Sequence, residues 1–318
     1  MGDQVLAIDF GGTQTRAAVI DAEGRLLSRA RADTRVWEGR DAVLARLLQT
    51  ARNALAQAPQ PSISAVGLSA PGPINPQTGL IYTAPNMPGW VNVPLSEILA
   101  AEFGVPVFAG NDANLAALAE ARFGAGRNYR HIVYLTVSTG IGSGIISDGV
   151  LVTGKDGLAA EAGHLILEPD GPPCGCGGRG CLEALASGSS IARAAEARLA
   201  QGDDSVLQAK RGTVTSRLVA EAAQRGDRLA GEVFQRAATY LGLGVAALIN
   251  LFNPQIIILG GGVTNAGDLL FDTVTRVALS RCMPILSHGV QIVPAALRDD
   301  VGLRGAAIWA FTPRPRFG

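Results

Sequence analysis

At 318 residues the chain is long enough for two domains, each with a sizeable buried core. Hydrophobic residues make up 47% of it and charged residues 17%, a balance that excludes a disordered polymer. A formal net charge of zero removes the general attraction that draws basic proteins to nucleic acid or anionic lipid. The N-terminus lacks the charged, apolar and cleavage regions of a signal peptide. Leu6 stands where myristoylation at Gly2 would require Ser or Thr. Residues 5–9 read as a buried strand, 16–21 as its hairpin partner and 25–32 as a third strand, ahead of a helix over 41–56. A strand at 64–70 runs into the Pro-rich loop 71–76, followed by a helix at 95–103, a strand at 105–109 and an alanine-rich helix at 113–123.

The second half repeats this theme. A strand at 132–137 has a hairpin partner at 141–147, and most of 163–180 is too rich in glycine and proline to be regular. Helices continue through Asn253, then come a strand at 255–259, a helix near 268–280, a strand at 290–294 and a closing helix after Gly302. The most apolar stretch, 241–252, is interrupted by Gly242, Gly244 and Asn250 and is too short to span a bilayer. A cytoplasmic protein without a membrane partner is the expectation. Alternating strands and helices predict α/β layers with mixed sheets. The domain boundary is expected near 111–115, with the last helix returning to the first domain and a hinged cleft in place of a long linker.

Two segments share a design that points to phosphate. Asp9-Phe10-Gly11-Gly12-Thr13-Gln14-Thr15-Arg16 and Ser138-Thr139-Gly140-Ile141-Gly142-Ser143-Gly144 each join one apolar strand to the next. They are glycine hairpins, unlike the Walker and dinucleotide loops, which lead from strand to helix. A glycine-lined tip brings backbone N–H groups close to phosphate oxygens, and Thr hydroxyls add donors. One such hairpin is a common turn, whereas one in each half suits the two sides of a triphosphate. A third run, Gly260-Gly261-Gly262, follows a strand and is placed for close approach to a nucleoside.

Asp9, at the end of the first strand, is suited to Mg2+ because hard cations on phosphates favour carboxylates. Asp112, in Asn111-Asp112-Ala113, falls at a strand–helix junction. There it reads equally as a helix N-cap or as a general base for a sugar hydroxyl, and the two roles are compatible. Three of the four cysteines, Cys174, Cys176 and Cys181, cluster after His164, while Cys282 stands alone. One imidazole and three thiolates make a closed tetrahedral Zn2+ site, which is structural in kind. Glu161 and Glu183 sit at the two edges of this loop, where carboxylates accept from sugar hydroxyls at about 1.5–3 kcal/mol per charge-assisted bond. Because the hairpins lie elsewhere in the chain, loss of the metal is expected to disturb sugar binding more than ATP binding.

Together these residues resemble the ROK family (repressors, open reading frames and kinases) of the actin/hexokinase-like superfamily, over essentially the whole chain. The most specific part is 163–183, G-H-x9-C-G-C-G-G-R-G-C-L-E. The first hairpin is similar to the family's D-x-G-G-T-x-x-R motif, Asn111-Asp112 to its N-D pair with Asp112 at the catalytic base, and 69–76 to its sugar-side loop. Residues 299–306 resemble its closing D-x-x-G-L-x-G-A motif. The resemblance implies two actin-like, ribonuclease H-like α/β domains, 1–114 with about 300–318 and 115–299, with mixed sheets flanked by helices and a cleft between them. It implies sugar contacts at Asn86, Asn111, Asp112, Glu161, His164 and Glu183, with His164 using one ring nitrogen for zinc and the other for a hydroxyl. ATP with Mg2+ is expected on Asp9, Gly11, Gly12, Thr13, Arg16, Thr139, Gly140, Gly142, Gly260, Gly261 and Gly262.

The function implied is phosphorylation of a hexose at the 6-hydroxyl, with glucose the leading substrate. Fructose, mannose or an N-acetylhexosamine such as N-acetylmannosamine is the alternative. A sugar-responsive repressor is the third reading. Family repressors carry a winged helix ahead of the first strand, for which Asp9 leaves no room, so no nucleic-acid partner is expected. Glu161 and the 85–90 run are similar to bacterial glucokinases, whereas some N-acetylmannosamine kinases of the family have His at that position. Relatives are commonly dimers, which implies a homodimer.

Overall fold

The first strand, β1 (Gln4–Phe10), is apolar on both sides, with Leu6, Ile8 and Phe10 alternating with Val5 and Ala7. Such a strand belongs in the middle of a sheet covered on both faces. The computed structural model describes residues 3–83 and 87–312 and places it there. It pairs antiparallel with β2 (Gln14–Asp21), which in turn pairs with β3 (Ala30–Asp33). After α1 (Arg40–Gln57), β4 (Ile63–Ala70) pairs parallel with β1. A small hairpin of β5 (Leu80–Thr83) and β6 (Val91–Pro94) then leads through α2 (Leu95–Phe103) to β7 (Val107–Asn111) and α3 (Asp112–Phe123). The sheet order is β3-β2-β1-β4-β7. Leu6, Ile8 and Phe10 pack with Val43, Leu47 and Ala51 of α1, while Val5 and Ala7 pack on the opposite side with Leu115 of α3.

The second half uses the same plan. Strands β8 (Ile132–Val137), β9 (Ile141–Ser147) and β10 (Val150–Leu151) form an antiparallel set. Helices α4 (Leu182–Ala186), α5 (Gly188–Ala200), α6 (Ser216–Gln224) and α7 (Arg228–Phe252) follow. Strand β11 (Ile256–Gly260) adds parallel to β8, and after α8 (Asp268–Arg281) and the short α9 (Pro284–Ser287), β12 (Gln291–Pro294) completes the order β10-β9-β8-β11-β12. The long helix α7 starts where Asp227 accepts from the Ala230 N–H at 2.9 Å, and ends where Asn253 adopts a left-handed conformation. Its apolar face, with Phe234, Leu241 and Val245, joins Val133, Leu135 and Ile257 of the sheet in one core.

The last helix among the described residues, α10 (Val301–Phe311), belongs to the first unit. One compact unit contains Met1–Phe123, Thr153–Ala159 and Asp299–Gly318, and the other Gly124–Val152 and Ala160–Arg298. Thus α3 stays with the first unit past the expected boundary near 111–115, because Leu115 shares a core with Leu303 and Ala306 of α10. The third strand is also shorter than the 25–32 expected. Asp21 holds Arg25 in a turn, by its side chain at 2.9 Å to the backbone N–H and 2.7 Å to Nε, so regular pairing starts only at Ala30.

Helix α10 reaches β4 closely because Gly67 has no side chain, and a Cβ there would overlap the Ala306 carbonyl. Gly67→Ala is therefore expected to destabilise the protein by about 1–3 kcal/mol, the usual cost of overpacking. Urea denaturation measures it. An unchanged midpoint would mean that α10 backs away from β4 without cost.

Candidate functional site

In the first unit the antiparallel register places Arg16 opposite Asp9, and the parallel register places Ser69 beside it. Arg16 Nη1 donates to Asp9 Oδ2 at 3.4 Å and to the Asp299 carbonyl at 3.2 Å, and Nη2 donates to Gln14 Oε1 at 3.0 Å. Burial pushes the Asp9 carboxyl above its usual range, and Arg16 and Ser69 pull it back in part. Asp9 also faces the start of α10, where a Cβ on Gly302 would overlap the carboxylate. The hairpin tip, Gly12 and Thr13, is exposed. Thr34 anchors it, donating from Oγ1 to the Gly11 carbonyl at 2.6 Å and from its N–H to the Thr13 carbonyl at 2.8 Å. Arg16, read from sequence as a nucleotide ligand, is engaged by Asp9, Gln14 and Asp299.

At the start of α3 the two adjacent polar residues share the backbone donors. Asn111 Oδ1 accepts from the N–H groups of Ala113 and Asn114 at 3.0 and 3.2 Å, and Asp112 Oδ1 accepts from the same Ala113 N–H at 2.8 Å. Asp112 is the first helical residue and is exposed, and a carboxylate in the first turn suits the helix dipole. Capping leaves Asn111 with its amide nitrogen, which lies against Gly72 of the loop after β4. Asn86 lies outside the described residues.

In the second unit, the ligand atoms of His164, Cys174, Cys176 and Cys181 all lie within 4.8 Å of one another. His164 Nδ1 is 3.7 Å from Cys174 Sγ, and Cys176 Sγ is 3.8 Å from Cys181 Sγ. Sulfurs about 2.3 Å from a tetrahedral ion stand about 3.8 Å apart, so these edges fit Zn2+. All three cysteines are free thiols. Burial and neighbouring sulfurs push Cys181 up to about 12, and burial raises Cys174, while the Gly178 N–H holds Cys176 down. A divalent cation supplies the positive charge that three adjacent thiolates require. With Nδ1 turned to the thiols, His164 Nε2 faces Glu161 Oε2 at 4.0 Å. Partial burial pushes the Glu161 carboxyl up, His164 pulls it down, and Glu183 raises it further.

The second hairpin and the start of α5 border a hollow of about 280 Å³. Its lining includes Ser138, Thr139, Gly188, Ser189, Thr215 and Gly262. The N–H groups of Gly188 and Ser189 donate to the carbonyls of Ser138 and Thr139 at 2.7 and 3.3 Å, which docks the helix end on the hairpin tip. Of the three consecutive glycines, Gly262 borders this hollow, while Gly260 and Gly261 pack against Tyr134 and Val137 of β8. Gly142 sits inside β9, paired with Thr136. Sequence reading missed Gly188, Ser189 and Thr215; the one available signal was the cap Ser187-x-x-Ser190, with Ser187 Oγ accepting from Ser190 N–H at 3.2 Å.

Two sheets of matching order, each opening on a glycine hairpin, with a Cys3His cluster in the second unit, define an actin-like α/β protein of the ribonuclease H-like kind. The ROK family model matches residues 5–312, and the chain belongs to the ROK family. It is 38% identical over 307 residues to a glucokinase of Thermotoga maritima, covering 96% of each chain. It is 35% identical to an N-acetylmannosamine kinase of Escherichia coli, over 96% of this chain and 97% of that one. It resembles the crystal structure of a ROK family glucokinase from Streptomyces griseus in complex with glucose and AMPPNP, at a TM-score of 0.80 and 33% identity, over 96% of this chain and 99% of that one.

Proposed function

We propose that this chain is a glucokinase that transfers the γ-phosphoryl group of ATP to the 6-hydroxyl of glucose. The observation that carries the reading is Asp112, an exposed carboxylate held at the start of α3 by the Ala113 N–H, which donates to its Oδ1 at 2.8 Å. Phosphoryl transfer asks the protein for position and charge neutralisation, plus one group to accept the hydroxyl proton. Asp112 takes that proton. Glu161 and Glu183 accept from other sugar hydroxyls, the Asn111 amide nitrogen and His164 donate, and Asn86 joins them by family likeness. Gly11, Gly12, Thr13, Thr139 and Gly140 offer backbone and hydroxyl donors to phosphate, and the hollow beside Gly262 takes the nucleoside. Asp9 is the carboxylate suited to Mg2+, which when bound offsets charge on the phosphates. Zn2+ on His164, Cys174, Cys176 and Cys181 holds the loop that carries the sugar-facing carboxylates.

Glucose leads because the glucokinase relatives match over almost the full chain. The N-acetylmannosamine kinase likeness makes N-acetylated hexoses the comparison that matters. A homodimer in the cytoplasm belongs to the same proposal; among the described residues no helix is long and apolar enough to cross a membrane. An assay coupled to ADP release, run with ATP across glucose, mannose, fructose and N-acetylhexosamines, tests the reading. Glucose is expected to give the highest kcat/KM. A higher value for N-acetylmannosamine would reassign the substrate, and no ADP release with any hexose would overturn the kinase reading.

A further inference from the structure

We infer that Glu183 is a positioning residue for the nucleotide, tying the metal loop to the second phosphate hairpin. The inference rests on the kinase reading and adds to the sugar contact proposed for the same carboxylate.

Glu183 is the second residue of α4, which begins directly after the metal ligand Cys181. Its Oε2 accepts from the N–H of Ile141 at 2.9 Å, where β9 leaves the hairpin tip. Gly140 leaves room for this approach, since a Cβ there would overlap the carboxylate. Its Oε1 lies 3.9 Å from Cys174 Sγ. One carboxylate therefore touches the hairpin with one oxygen and a metal-ligating sulfur with the other.

Ile141 is also packed at its carbonyl, in the next peptide along. Gly163, the residue before the ligand His164, packs so closely on the Ile141 carbonyl that a Cβ would overlap it. At the far end of α4, the Gly188 N–H donates to the Ser138 carbonyl at 2.7 Å. Within the turn itself, the Ser138 N–H donates to the Gly140 carbonyl at 2.9 Å. Much of the positioning of Thr139 and Gly140 is thus imposed by residues flanking the metal ligands. Of these restraints, the Glu183 bond is the one made by a charged side chain, and charge-assisted bonds to backbone N–H groups are among the stronger ones in proteins.

The test is calorimetric binding of AMPPNP with Mg2+, without sugar, to zinc-loaded wild-type, Glu183→Gln and Glu183→Ala proteins. Zinc content and Tm are measured alongside. The glutamine oxygen can still accept from Ile141, so Glu183→Gln is expected to keep the AMPPNP Kd within about twofold while its sugar KM rises. Glu183→Ala is expected to weaken AMPPNP binding by about tenfold with zinc retained. Should alanine cost the zinc or the fold, Glu183→Asp carries the same test, because it is one methylene too short to reach Ile141. Zinc-loaded alanine or aspartate variants that bind AMPPNP like wild type would overturn the inference, as would a glutamine variant as weak as alanine. Wild-type protein that binds no AMPPNP would instead overturn the kinase reading, and the inference with it.

Discussion

Asp112→Asn is expected to fold normally and bind sugar, yet turn over about a hundredfold or more slowly. The substitution keeps size and shape, and removes only the ability to accept a proton at neutral pH. Stability should hardly change, because the new amide oxygen can still accept from the Ala113 N–H, as Asp112 Oδ1 does at 2.8 Å, and Asn111 keeps its own two bonds at 3.0 and 3.2 Å. Retaining every acceptor makes the experiment clean. With Asp112→Ala, by contrast, a fall in activity could be charged to a frayed helix. KM for glucose and for ATP should stay within a few-fold, since the loss falls on the transition state and not on ground-state binding. Steady-state kinetics with a Tm measurement decides it. A normally folded variant with near-wild-type kcat would remove Asp112 from the chemistry.

The parts of this molecule legible in its sequence are those with a local signature. Both hairpins could be read because Gly11-Gly12 and Thr139-Gly140 interrupt apolar strands, and the cluster of His164 with Cys174, Cys176 and Cys181 could be read because three cysteines fall close after one histidine. What escaped depends on residues far apart in the chain. The approach of α10 to β4 through Gly67 and Ala306 is invisible locally, since a glycine in a strand equally suggests a bulge. The sharing of donors at α3 escaped because Asn and Asp are both good caps, and adjacent in sequence they are interchangeable candidates. Only the folded geometry shows that both accept from the Ala113 N–H and that Asn111 also accepts from Asn114. The hairpin of β5 and β6 was missed because its strands are four residues each and flank a proline-rich run. Most consequentially, Glu183 and Ile141 are 42 positions apart, so nothing in their surroundings signals that one carboxylate serves both the metal loop and the hairpin.

That contact alters what removal of the metal should do. Elemental analysis is expected to find one tightly bound zinc per chain, on ligand atoms within 4.8 Å of one another. Cys176→Ser replaces the exposed member of the set, so the change itself perturbs little packing while the site loses a thiolate. Zinc should be weakened or lost, and Tm should fall by roughly 3–5 °C, as expected when about 2–3 kcal/mol of tethering disappears from a protein of this size. The KM for sugar should rise tenfold or more, because the metal orients His164, and Glu161 and Glu183 lie on the two flanks of the same loop. The sequence alone suggested that ATP binding would be largely spared. The Glu183–Ile141 bond argues otherwise: a loosened α4 releases the hairpin tip as well, so the KM for ATP should rise by several-fold, less than that for sugar because Gly188 still docks on Ser138. Zinc-free protein with an unchanged sugar KM would leave the three clustered cysteines without the role assigned here. A rise for sugar with none for ATP would show instead that the hairpin holds its shape without the metal loop.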